Sequence, residues 1–122
     1  MPHFSSNSKR HLATCDDRLR EIMNRAIKVY DFSVLCGFRN EANQNYAYDN
    51  GFSKVKWPNS KHNTYPSLAV DVAPYPIIWQ DAVRFTELAI IIKSIANGLC
   101  IPITWGGDWS RFVDMPHWEV KK

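Results

Sequence analysis

The 122-residue chain predicts an α+β domain in which a small, mostly antiparallel sheet packs on helices. Three observations carry that reading. Apolar residues recur at helical spacing in two stretches, Leu19 to Ile27 and Phe85 to Ala96. Short strand-like runs, Phe32–Cys36, Leu68–Val72, Ile101–Trp105 and His117–Val120, lie between and after them, bounded by turn residues. No repeat, linker or low-complexity stretch divides the chain, so residues 1–122 read as one domain, long enough to bury a single core.

The first predicted helix covers 16–30, with Leu19, Ile22, Met23, Ala26 and Ile27 as its apolar stripe. Thr14 and Asp16 are its candidate caps, and Asp17 suits the positive end of the first turn. Phe32–Cys36 is a short strand ending at Gly37. Glu41–Asn50 forms a second helix, closed by Gly51 where a left-handed residue is useful. Residues 52–66 hold two prolines and many polar residues and make a long surface loop. In the strand Leu68–Val72, residues Leu68, Val70 and Val72 share a face, while Asp71 points with Ala69 to the other. Pro74 and Pro76 end it. Asp81 starts the clearest helix, through Asn97, with Phe85, Leu88, Ala89, Ile92, Ile95 and Ala96 inward and Gly98 as terminator. Ile101–Trp105 is a strand, Gly106-Gly107-Asp108 a turn, and His117–Val120 the last strand.

A hydrophobic fraction of 45% and an aromatic fraction of 13% describe a packed globular protein rather than a disordered one. The net charge of +3 is mild, but Lys54, Lys56 and Lys61 cluster ahead of His62. Such a loop suits an anionic polymer, cell wall or nucleic acid, or is simply solvated. Cys15, Cys36 and Cys100 are odd in number, widely spaced and in no C-x-x-C pair, which argues against a disulfide framework and a thiolate zinc knuckle. Reduced thiols fit the cytosol. The N-terminus lacks the apolar region of a secretory signal, and no apolar run approaches the ~20 residues that span a bilayer.

Two distant segments, Ser60–Asp71 and Asp114–Glu119, carry candidate metal ligands. Together they offer two of the chain's four His and several carboxylates. That is the inventory of a catalytic zinc site: three protein ligands, an open position, and a carboxylate to take a water's proton. His62 ends the polar loop, and His117 opens a strand behind Pro116, whose ring fixes the backbone there. Asp71, in an apolar strand, is costly to bury unpaired; a metal or a basic side chain would satisfy it, and spacing alone leaves both open.

The motifs Ser60-x-His62, Ser67–Asp71 and Asp114-x-Pro116-His117-Trp118-Glu119 resemble those of zinc peptidases that cut bacterial cell-wall peptides. That family includes D-alanyl-D-alanine carboxypeptidases, vancomycin-resistance dipeptidases and phage L-alanyl-D-glutamate endopeptidases. Gly37-Phe38-Arg39 with Gln44, Gly51 through Ser60, and Trp105 through Trp109 resemble the phage and prophage branch, and the series runs in order from about residue 32 to 120. The resemblance implies a hedgehog/DD-peptidase-like fold with zinc on His62, Asp71 and His117. It makes Asp114 the catalytic acid/base, Arg39 the group facing the developing oxyanion, and Ser60 a substrate-binding hydroxyl. Glu119, sharing a strand face with His117, is its partner or an alternative base.

The same resemblance implies an endolysin that hydrolyses the L-Ala–D-Glu bond of peptidoglycan stems. It would act as a monomer, with neither a nucleic-acid partner nor stable membrane insertion. Made in the host cytoplasm, it would reach the periplasm and wall after a holin opens the membrane. A D-alanyl-D-alanine carboxypeptidase on the same fold and a non-catalytic, metal-stabilised wall-binding module are the competing expectations. One departure is present: many relatives space the first His and the Asp more tightly, through a Gly, whereas Tyr65-Pro66-Ser67 stands here and the two ligands lie nine apart (71 − 62).

Overall fold

The computed structural model describes residues 2–122. It opens with a helix that the sequence patterning does not announce, α1 (Ser6–Leu12). Leu12 is its one buried apolar residue, so no stripe marks it; Ser5 caps it by accepting from Ser8 N at 3.2 Å. Buried Ser8 in turn accepts from Val34 N at 2.9 Å, satisfying an amide on the sheet's edge strand. α2 (Asp17–Ala26) is shorter than expected, and Asp16 rather than Thr14 caps it, accepting from Arg18 N at 2.9 Å. Leu19, Ile22, Met23 and Ala26 form its buried stripe.

β1 (Phe32–Cys36) and α3 (Glu41–Asp49) fall where expected, and Gly51 after α3 takes the left-handed φ of +77°. The 52–66 segment is not wholly a surface loop. A 3-10 turn at Lys61–Asn63 buries His62 and Asn63. β2 (Ala69–Pro74) continues past Val72 and ends on Pro74. α4 (Ala82–Gly98) is capped by Asp81, which accepts from Arg84 N. β3 shrinks to Thr104–Trp105, because Pro102 within the expected strand has no amide to donate to a ladder. β4 (His117–Glu119) closes the sheet.

The strands pair antiparallel in the order β1-β2-β4-β3. Val34, Val70, Val72 and Trp118 join Leu88, Ala89, Ile92 and Ala96 of α4 and the α2 stripe in one core cluster that reaches from Phe4 to Val120. Ile92 is fully buried, as the helical phase predicts; Ile95 lies partly buried at its margin. Each fully buried aliphatic side chain contributes about 1.5–3 kcal/mol, so this face anchors the sheet. Asp71 alternates with Val70 and Val72 and so projects from the opposite face.

Candidate active site

In the β2–β4 register Asp71 lies directly across from His117, and opposed residues of an antiparallel pair share a face. His117 Nδ1 stands 3.4 Å from Asp71 Oδ1. His62 arrives from the 3-10 turn, which a capping box fixes: Ser60 Oγ accepts from His62 N at 3.1 Å, and Asn63 Oδ1 accepts from Ser60 N at 3.0 Å. Its Nε2 lies 3.3 Å from the same Asp71 Oδ1. A single carboxylate oxygen thus faces two imidazole nitrogens, at separations longer than the ~2.7–2.9 Å of a tight charged hydrogen bond.

The outward nitrogens are each held. His62 Nδ1 donates to Gly37 O at 2.7 Å, and His117 Nε2 donates to Glu119 Oε1 at 2.8 Å. Such partners set ring orientation and direct the other nitrogen inward. Burial works against charge on His62, but the adjacent Asp71 carboxylate outweighs it and raises the pKa to about 10. The Asp71 carboxyl, despite its own burial, is held far below the usual carboxylate range by both imidazoles. The centre therefore favours positive charge beside Asp71, which either a proton on an imidazole or a metal ion supplies.

A fourth donor, Cys36, was not expected. The ligand atoms of Cys36, His62 and Asp71 all lie within 4.8 Å of one another. A register shift between Val34 and Cys36 explains it: Val34 pairs with Val72, yet Cys36 pairs with Asp71, so an extra residue turns the thiol to the Asp71 face. One of the three cysteines, whose spacing in the sequence points to no metal site, thus reaches the centre. Bulges leave little trace in a five-residue strand, so the sequence carried no signal for this.

Asp114 and His117 are linked by a tight turn in which His117 N donates to Asp114 O at 3.1 Å. Asp114 N donates to Gly106 O at 3.0 Å, and the packing there is close: a Cβ on Gly106 would come within 2.3 Å of Asp114 O. Glycine at 106 is what lets the Asp114 turn fold back beside His117. Burial first, and the Asp71 charge second, raise the pKa of the Asp114 carboxyl. Arg39 reaches from the opposite side, Nη2 3.4 Å from Asp71 Oδ2 and Nη1 donating to Gln44 Oε1 at 2.9 Å. Gln44 is wholly buried, its amide nitrogen donating to Ser53 Oγ at 3.0 Å and Val55 O at 2.7 Å, and its oxygen also accepting from Asn63 Nδ2 at 3.1 Å. Its helix position gave no hint of this role beyond its place in a family motif.

His62, Asp71, His117, Asp114, Arg39, Ser60 and Glu119 all line one cleft of about 410 Å³. The Ser60 hydroxyl accepts from His62 N in capping that turn, which leaves its O–H free to donate. Glu119 serves His117 and lies 3.8 Å from Lys61 Nζ.

A sheet-borne acid and imidazole, joined by a second imidazole and a half-buried carboxyl in an open cleft, are groups suited to acid–base and metal-assisted hydrolysis. Residues 1–121 match the family described as phage L-alanyl-D-glutamate peptidase, and the chain belongs to that family. It is 34% identical over 125 residues to the L-alanyl-D-glutamate peptidase of Escherichia phage T5, covering 98% of this chain and 89% of the relative. Among solved structures it resembles the Serratia marcescens L-Ala D-Glu endopeptidase ChiX, with a TM-score of 0.83 at 25% identity over 98% of this chain and 91% of that one. The fold class and the peptidase activity expected from the motifs stand.

Proposed function

We propose that the chain is a zinc-dependent endolysin that hydrolyses the L-Ala–D-Glu bond of peptidoglycan stem peptides. The observation that carries this reading is the convergence of two imidazoles on Asp71 Oδ1, at 3.3 and 3.4 Å, within a family of L-alanyl-D-glutamate peptidases. An imidazole nitrogen from each of two histidines beside one carboxylate oxygen is a donor set that suits zinc, and the Cys36 thiol, within 4.8 Å of the His62 and Asp71 ligand atoms, is a further candidate. His62, Asp71 and His117, which line the cleft, would hold the ion. Bound there, zinc would polarise the scissile carbonyl and acidify a water.

The chain's own groups supply the rest. The Asp114 carboxylate takes the proton of the attacking water and returns it to the leaving amine nitrogen of D-Glu. Its half-buried setting, which raises its pKa, suits a group that must hold that proton between the two steps. The Arg39 guanidinium faces the carbonyl oxygen as negative charge grows on it, and its tie to Gln44 limits how far it moves. Ser60 offers a polar group on the cleft wall. Glu119, engaged with His117 and Lys61, acts as an orienting partner rather than the base.

The same reading holds residues 1–122 to be one catalytic domain, which the continuous core from Phe4 to Val120 supports. Among the described residues no helix is long and apolar enough to cross a membrane. Passage to the wall through a holin-opened membrane, and action as a monomer, belong to this proposal as properties of a phage lysis enzyme. Purified protein should contain one zinc per chain, lost in His62→Ala. Digested stem peptides should show, by mass spectrometry, new L-Ala carboxyl and D-Glu amine ends that vanish on chelation and return with zinc. Release of terminal D-Ala instead would overturn the bond assignment in favour of a carboxypeptidase.

A further inference from the structure

D-Glutamate bonded through its amine to L-alanine carries two carboxyl groups, and only one of them continues the peptide. The other is left as a free carboxylate close to the scissile bond, and the cleft has to meet it. Three cations line the cleft: Arg39, Lys54 and Lys61. Arg39 is taken up by Asp71 and Gln44, and Lys61 lies beside Glu119. Lys54 forms no ion pair among the described residues; its ammonium rests 5.1 Å from the centroid of the Phe112 ring, which also lines the cleft.

Lys54 is exposed, yet its backbone is fixed on both sides. The buried Gln44 amide donates to Ser53 Oγ and to Val55 O, the two neighbours of Lys54. The oxygen of that same amide accepts from Arg39. One side chain thus ties the Arg39 cation to the segment that carries Lys54. Phe112 is held at a left-handed φ of 46°, a conformation that a side chain with a Cβ resists, and backbone strain of this kind collects at functional sites. Lys56, two residues on, lies over Tyr48 and does not line the cleft.

From this geometry we infer that Lys54 recognises the free carboxylate of the substrate's D-glutamate, with Phe112 holding the ammonium over the cleft until the peptide arrives. A ring face attracts a cation less strongly than a carboxylate does, so the incoming substrate takes the ammonium from the ring. The inference rests on the proposed bond specificity and names the group that reads the residue after that bond.

The test uses two stem peptides that differ only in that carboxylate, one free and one amidated. Wild type should prefer the free acid, and the preference should shrink as salt rises. Lys54→Met should lower kcat/KM for the acid by roughly three- to tenfold, mainly through KM, and leave the amide unchanged, at wild-type zinc content. Lys54→Arg should keep the preference, and Lys56→Met should not alter it. An equal loss on both peptides, or no loss on the acid, overturns the assignment to Lys54. If wild type cuts neither peptide at this bond, the bond specificity itself fails and the inference falls with it.

Discussion

Asp71 and His117 sit on neighbouring strands and inherit their geometry from the β2–β4 register, whereas His62 and Arg39 sit on turns and inherit theirs from side-chain hydrogen bonds. The strand-borne pair needs only that the sheet be anchored, and the core beneath Val70 and Trp118 does that. The turn-borne pair has no ladder. Its order comes from Gln44 and Asn63, both buried and both fully engaged with Arg39, Ser60 and the 53–55 segment. A loop can therefore aim a ligand as well as a strand can, provided its polar groups satisfy one another away from water.

The largest expected effect falls on chemistry that both halves serve. Asp114→Asn should keep the fold and metal content but lower turnover by about 10²–10⁴-fold, because an amide cannot shuttle the proton. A nearly wild-type Asp114→Asn enzyme would hand the role to another carboxylate. Next, paired substitutions separate the halves. Ile92→Ala should cost roughly 2–5 kcal/mol in denaturant unfolding while the folded fraction keeps its metal affinity. Gln44→Ala should cost less, about 1–3 kcal/mol, yet disturb metal content or kcat, since it leaves the turn-borne groups without partners. Equal behaviour of the two variants would erase the distinction between the halves.

The smallest effect is expected at Glu119. Glu119→Gln should weaken metal affinity by about 10–100-fold through a less firmly oriented His117, measured by competition with a chelator, with little change in kcat once metal is saturating. His62 offers no equivalent substitution, because its partner is the backbone carbonyl of Gly37. Loss of activity in Glu119→Gln at full metal occupancy would move the base from Asp114 to Glu119.

The sequence displayed the strand-borne half more openly than the turn-borne half. Alternation in Leu68–Val72 separates Asp71 from the core face, and the family motifs identify both histidines and Asp114. Periodicity also locates α2 and α4, though not the early end of α2. Polar α1 buries too little to leave a stripe, and Pro102 trims β3 in a way that an apolar run conceals. Cys36 reaches the centre only through a register shift, and Gln44 matters only through four partners on three separate segments, Arg39, Ser53 with Val55, and Asn63. Such features depend on how the chain meets itself, which composition and spacing do not encode.

Gly37 joins the first helix to the proposed metal site. A Cβ there would lie 2.4 Å from His11 O and 2.3 Å from Thr14 Oγ1, and Thr14 Oγ1 also accepts from Phe38 N at 2.8 Å. The carbonyl that steers His62 is thus clamped by the end of α1, a segment with no catalytic motif of its own. Anyone transplanting this catalytic unit by its motifs, from residue 32 onward, would leave behind the brace that aims its first histidine. The portable unit begins at the N-terminal helix.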